Sequence, residues 1–328
     1  MKLFSKIIGA LALAGFILPG ASSNLPAAEY PNKAITWVVP FGAGGGTDRW
    51  SRVMSAGAYE TWGVDWRVRN VPGASGIKGW KFLLDRRADG YTIILASPTP
   101  ILALARESKP ILDPAKDIKI CALIGFFRPN IAIQKDAPYN DLDSLVAYAK
   151  KNPGKVVVGG SGSNTLGAAM LFKELGIKMT YVVYPGTGKA MADFLGKHID
   201  IGVAPEEIML GLAPEKVKVI ATTSNKPHPK GYEKAIGNKV SQPKDKGLKR
   251  SFEGLRWVGV HPDTPDAVCQ KISDNMKKLL KFKAVAKLLK KIGAQPIHTP
   301  MKQAQKEFDA MVESTIDAAS LLGTAKGK

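Results

Sequence analysis

An α/β protein of two lobes is predicted from three observations. Strand and helix patterns alternate through the chain after Tyr30-Pro31, which argues for largely parallel sheets flanked by helices. Each half of the chain holds a strand that runs through a glycine-rich turn into a helix: Ile35 to Asp48 in the first half and Val156 to Leu166 in the second. The chain has 328 residues and a hydrophobic content of 45%, enough for two domains of ordinary size with real cores.

Short β-rich runs bounded by turn residues mark the strands: Ile35 to Val39, Trp66 to Val71, Thr92 to Ala96, Lys119 to Gly125, Asn130 to Gln134, Val156 to Gly159, Met179 to Val183, Ile199 to Val203 and Val217 to Thr222. Helical patterns fill the gaps over Thr47 to Thr61, Leu142 to Lys151, Leu166 to Leu175 and Lys189 to Leu195. The polar, lysine-bearing stretch Asn225 to Lys249 reads as a surface excursion. Thr264-Pro265-Asp266 starts a further helix, whose stripe Val268, Ile272, Met276 and Leu279 faces the core while Lys277, Lys278 and Lys281 lie off it. A last helix over Lys302 to Leu321 is expected to turn Phe308, Met311 and Ile316 inward.

At the N-terminus, Lys2 and Lys6 precede the apolar run Ile7 to Leu18, and small residues follow up to Ala28. This is the pattern of a secretory signal peptide, with cleavage expected near Ala28. The run is shorter than a bilayer-spanning helix requires, and no later stretch is long and apolar enough, so the mature chain is expected to be periplasmic and not membrane-spanning. The formal charge of +19 falls to +17 once the two leader lysines are set aside. The lysines concentrate on the C-terminal helical segments with little aromatic interleaving, which argues for a solvated basic surface and against nucleic acid as a partner. Only Cys121 and Cys269 occur, and a disulfide and two buried thiols both remain open. His198, His228, His261 and His298 lie scattered without metal-ligand spacing.

The two glycine-rich turns carry the chemistry. In Pro40-Phe41-Gly42-Ala43-Gly44-Gly45-Gly46-Thr47-Asp48, glycines let backbone N–H groups converge on an anion, and the helix that follows aims its positive end there. No lysine is present for a Walker-type nucleotide site, so a carboxylate suits the loop better. Gly159-Gly160-Ser161-Gly162-Ser163-Asn164-Thr165 repeats the arrangement. Together the loops fit one ligand clasped between two lobes. Asp48 is expected to cap the first helix and shape its loop, while Thr47, Ser163 and Thr165 reach the ligand. A dinucleotide-dependent enzyme is the distant alternative. It lacks the third glycine, and Val68-Arg69-Asn70 stands where an acid would hold a ribose. With no nucleophile elbow, no histidine beside a candidate nucleophile and no metal spacing, the chain reads as a binding protein without a catalytic set or cofactor.

The motifs Tyr30-Pro31-Asn32-Lys33, Pro40 to Asp48, Asn70-Val71-Pro72-Gly73-Ala74-Ser75-Gly76 and Ala88-Asp89-Gly90-Tyr91-Thr92 stand in order along the chain. They are followed by Tyr184-Pro185-Gly186-Thr187-Gly188, Gly196 to Asp200, Gly254 to Val260 and Ile292-Gly293-Ala294. In this the chain resembles the solute-binding proteins of tripartite tricarboxylate transporters, the Bug or TctC family. The resemblance implies a periplasmic-binding-protein ("Venus flytrap") fold, with residues 29–128 and 251–328 in lobe 1 and 129–250 in lobe 2. Separately, crossings between the lobes are expected near Ile124 to Pro129 and Phe252 to Trp257, because the chain must leave and return for the two loops to face each other across a cleft. The resemblance also implies a di- or tricarboxylate or aromatic acid as ligand, transporter membrane subunits as partners, and a monomer. A ligand sensor that feeds a signalling receptor is the other reading of the same fold. The candidate ligand-binding residues are Phe41, Gly44, Gly45, Gly46, Thr47, Asp48, Ala74, Ser75, Gly76, Ser97, Ser161, Gly162, Ser163, Asn164, Thr165, Tyr184, Thr187 and Asp200. Thr165, Pro185 and Lys197 depart from the histidine, lysine and glycine common at those positions in the family.

Overall fold

The computed structural model describes residues 30–322, so the leader segment lies outside the described residues. Its eleven strands are β1 (Ile35–Val39), β2 (Trp66–Asn70), β3 (Thr92–Ala96), β4 (Lys119–Phe127), β5 (Pro129–Gln134), β6 (Val157–Ser161), β7 (Thr180–Tyr184), β8 (Ile201–Pro205), β9 (Val217–Thr222), β10 (Gly254–Val260) and β11 (Gln295–Pro300). They form two sheets, in the orders β11-β4-β10-β3-β1-β2 and β7-β6-β8-β5-β9. The sheets are mixed rather than mostly parallel. Parallel pairing is kept where a helix returns the chain between neighbours, as in β1 with β2 and β3 and in β6 with β7 and β8. Strands that enter from the other lobe or come back late run antiparallel: β5 against β8 and β9, β10 against β3 and β4, and β11 against β4.

Each lobe packs helices on both faces of its sheet. In the first, Trp37 of β1 stacks on Trp66 of β2 at 4.4 Å and donates its indole N–H to Ser51 Oγ at 2.8 Å, which fixes the helix Gly46–Ser55 against the sheet. Trp50 and Met54 of that helix are fully buried in the same core. A disulfide joins Cys121 of β4 to Cys269 of the helix Asp266–Lys281, which settles the cysteine question left open by the sequence. In the second lobe Phe172, Leu145 and Val158 fill one face of the sheet and Phe194 the other. The stretch between Asn225 and Lys249 holds a short helix, Tyr232–Ile236, and a 3₁₀ turn, Pro243–Lys246; Tyr232, Ile236 and Val240 are buried against the lobe.

The C-terminal helix, Met301–Ala319, corrects one expectation. Ala304, Phe308, Val312, Thr315 and Ala319 face inward, whereas Met311 is half-buried and Ile316 is 49% exposed. At about 100° per residue, position 316 lies well off the stripe through 308, 312 and 315. The two lobes are connected at Arg128, between β4 and β5, and by the strand segments after β9 and before β10. There Phe252 N–H donates to Thr223 O and Thr223 Oγ1 donates to Phe252 O, both at 2.8 Å.

Candidate functional site

A cavity of about 220 Å³ lies between the lobes, lined by the ends of strands from both sheets. Among the predicted residues, Phe41, Gly45, Gly46, Thr47, Ser97, Ser161, Ser163, Asn164 and Thr187 are on its wall. Gly44, Asp48, Ala74, Ser75, Gly76, Gly162, Thr165, Tyr184 and Asp200 are not among the lining residues, and each has a different place in the structure.

The first turn is held by Asp48. Gly45 is the N-cap of the helix and has no side chain to cap with, so Asp48 is not itself the cap. From the third helical position it reaches back, and its Oδ2 accepts the Gly44 N–H at 2.9 Å and Arg52 Nε at 3.0 Å. Asn70 Nδ2 donates to the other oxygen and to Phe41 O, both at 3.0 Å. Burial alone would raise the carboxyl pKa, but the hydrogen bonds from Arg52, Gly44 and Asn70 outweigh it and hold Asp48 below its ordinary value. Gly44 itself has φ of +83°, a conformation that glycine adopts without strain. Behind this turn, Gly76 supports the ring of Phe41: a Cβ there would come within 2.8 Å of Pro100 and 3.2 Å of the ring. Ala74 and Ser75 form the turn leading to it, while Pro72 and Gly73 are on the wall.

The second turn differs from its sequence reading. The helix Gly162–Glu174 begins directly after β6, so no free loop intervenes. Gly159 and Gly160 are strand residues whose lack of a Cβ is needed for packing; at Gly160 a Cβ would sit 2.8 Å from Val203 O. Ser161 Oγ accepts from Asn164 Nδ2 at 2.6 Å and from Thr187 Oγ1 at 3.2 Å. Thr165 is fully buried and donates its hydroxyl back to Ser161 O at 3.2 Å, so it turns away from the cavity it was expected to serve. Tyr184 donates its hydroxyl to Asp193 at 2.8 Å. Asp200 accepts the Val157 N–H at 2.8 Å, at the end of β6 away from the cavity.

The lobes touch across the cavity. Thr99 Oγ1 and Ser163 Oγ are 2.9 Å apart, each at the start of a helix from its own lobe. Ser97 Oγ and Asn164 Oδ1, also on the wall, are buried and have no hydrogen-bond partner. These two atoms are available to a ligand or to water.

Sequence reasoning missed the charged floor. Arg256 of β10 lines the cavity, 2% exposed, with its guanidinium between the rings of Trp50 and Phe127 at 4.9 and 4.6 Å. It pairs with Glu207, from the helix Glu206–Met209 that follows β8 in the other lobe, and donates to Phe126 O at 3.2 Å. The Glu207 carboxylate packs behind the first turn, 2.6 Å from where a Cβ on Gly46 would be. Beside this pair, Arg128 binds Glu206 through Nη1 at 2.7 Å and through its backbone N–H at 2.6 Å. Burial and then the neighbouring Glu207 raise the Glu206 pKa, and Arg128 opposes them. The available signal was a charge inside an apolar strand, Leu255-Arg256-Trp257-Val258, and a Glu-Glu pair closing the apolar run Ile201 to Pro205.

Two lobes, each presenting a strand-to-helix junction to a small cavity rich in hydroxyls and main-chain groups, define the class of two-lobed solute-binding proteins. The chain belongs to the TctC family: the family model described as "Tripartite tricarboxylate transporter family receptor" matches residues 51–316. It is similar to a UPF0065 protein from the gbd 5′ region of Cupriavidus necator, 26% identical over 323 residues covering 97% of this chain and 96% of that one. Its fold matches that of the periplasmic binding protein BugD, with a TM-score of 0.77 and 25% identity over 90% of this chain and 99% of the other. An R. palustris protein solved with adipate has the same fold, with a TM-score of 0.79 and 23% identity over 90% and 98% of the two chains.

Proposed function

We propose that the protein captures a small organic carboxylate, a di- or tricarboxylate or an aromatic acid, in the cleft between lobe 1 (29–128 and 251–328) and lobe 2 (129–250). It carries this cargo, without reacting it, through the periplasm to the membrane subunits of a tripartite tricarboxylate transporter. The observation that supports this best is the convergence of two helix N-termini, Gly46–Ser55 and Gly162–Glu174, on one cavity with Thr47, Ser97, Ser163 and Asn164 on its wall. Helix starts and hydroxyls bind a carboxylate without a full counter-charge, which keeps the cargo releasable. The buried cation on the wall, Arg256, is already neutralised by Glu207.

Calorimetry and thermal shift against a panel of organic acids test the reading, with adipate, bound by the R. palustris neighbour, among the first probes. A ligand that raises the melting temperature progressively, with the logarithm of its concentration above Kd, is expected. A panel of mono-, di- and tricarboxylates and aromatic acids that leaves stability unchanged would overturn it. Delivery is tested separately, by uptake of the best ligand in cells with and without the membrane subunits.

A further inference from the structure

Two consecutive helices of the first lobe, Asp266–Lys281 and Lys283–Lys291, carry a face that the cleft does not use. From Asn275 to Lys291 the chain has seven lysines, at 277, 278, 281, 283, 287, 290 and 291, and no acidic residue. All seven are exposed. None forms an ion pair with another described residue, and the one hydrogen bond among them is a 3.4 Å contact from Lys278 to Asn275.

Their arrangement is a surface rather than a scatter. At 3.6 residues per turn, Lys283, Lys287, Lys290 and Lys291 fall within an arc of about 100° on their helix. The opposite side buries Val285 and Leu289 against the core below the helix Gly46–Ser55. On the preceding helix Lys277 and Lys281 stand one turn apart, with the exposed Asp274 in the turn before them, and Leu288 is 40% exposed. On other parts of the surface some lysines have acidic partners, Lys119 with Asp266, Lys197 with Asp136 and Lys246 with Asp143.

We propose that this lysine face docks the protein on an anionic phospholipid bilayer. The face carries no arginine, and so lacks the planar fork that suits specific recognition of a single phosphate or carboxylate. A set of exposed ammonium groups without ion-pair partners suits a diffuse negative surface, where each lysine close to the headgroups adds about fivefold in partitioning. Docking would hold the first lobe, with the helix that forms one wall of the cleft, at the membrane and confine the search for a membrane partner to two dimensions. The inference holds whatever occupies the cleft.

The test is co-sedimentation of the protein, beginning at Glu29, with vesicles of phosphatidylcholine alone or with one quarter phosphatidylglycerol. Binding to the anionic vesicles only is expected, and it should fall steeply as salt rises from 50 to 300 mM. Replacing Lys283, Lys287, Lys290 and Lys291 with Gln should weaken it at least tenfold. The charge-matched control, Gln at the exposed lysines 150, 151, 155 and 178 of the second lobe, should leave it within twofold. A second variant, K277Q/K278Q/K281Q, should give an intermediate loss, and circular dichroism verifies folding of each. No binding to anionic vesicles, or equal losses in the face variant and the control, overturns the proposal. The latter result would assign the attraction to net charge alone.

Discussion

The two strand-to-helix junctions look alike in sequence and are built on different terms. In the first, Gly42, Ala43 and Gly44 are exposed, and the turn keeps its shape because Asp48, Arg52 and Asn70 bind it from within its own lobe. In the second, Ser161 to Thr165 are all buried, and their hydroxyls are already engaged, with one another, with Thr187 and with Thr99 of the opposite lobe. A glycine-rich run can therefore be an open turn at a helix start or a close-packed strand end. Neighbouring backbone decides between them: at Gly160 the Val203 carbonyl takes the space of a side chain.

The largest expected effect comes from the floor that both junctions share. Arg256→Ala leaves Glu207 buried without a counter-charge and should cost about 3–5 kcal/mol in urea unfolding. Gly46→Ala, which drives a methyl group into the same pair, should cost about 1–3 kcal/mol. A loss under about 1 kcal/mol for Arg256→Ala would mean that the floor does not join the lobes.

Next come the hydroxyls, which separate the junctions directly. Thr47→Val should weaken binding of the best acid by about ten- to a hundredfold, with a melting temperature near that of the unmodified protein. Ser163→Ala should lose affinity to a similar extent and also destabilise the apo protein by about 1 kcal/mol, since the bond to Thr99 goes with it. Thr165→Val should leave affinity within about threefold, because its hydroxyl is bonded to Ser161 O. Calorimetry on all three would expose an error in the comparison if Thr165→Val proved the most damaging.

Asp48→Asn probes the first junction through pH. The folded carboxyl is held below its ordinary value, so ionised Asp48 stabilises the fold at neutral pH, and that contribution disappears as pH falls through the folded value. The variant should be about 1–2 kcal/mol less stable at pH 7, and the gap should close in acid. A gap that persists unchanged at pH 2 would remove the charge from the account. The smallest effect is expected at the rim. Lys189→Ala, at an exposed lysine lining the cavity, should weaken a dicarboxylate by about two- to fivefold in low salt and spare a monocarboxylate.

Much of this architecture was legible in the sequence. β1 to β9 fall within two residues of the runs that marked them, because each combines β-branched or aromatic residues with flanking turn signals. β10 and β11 escaped. β10 carries Arg256 and two glycines in an otherwise apolar run, and β11 is a polar edge strand bearing Pro296 and Pro300. At the cavity, Phe41, Thr47 and Ser163 announced themselves through local chemistry. Arg256 and Glu207 could not, since their pairing joins different lobes and exists only once the chain has crossed between them twice.

The disulfide has a topological consequence. Cys121 and Cys269 are 148 residues apart, and the loop they close contains every strand of the second sheet. The second lobe is thus a covalently closed insertion in the first. A single proteolytic nick anywhere in that insertion should leave one molecule on a non-reducing gel and two fragments after reduction, and the nicked chain should still hold its lobes in reach of each other.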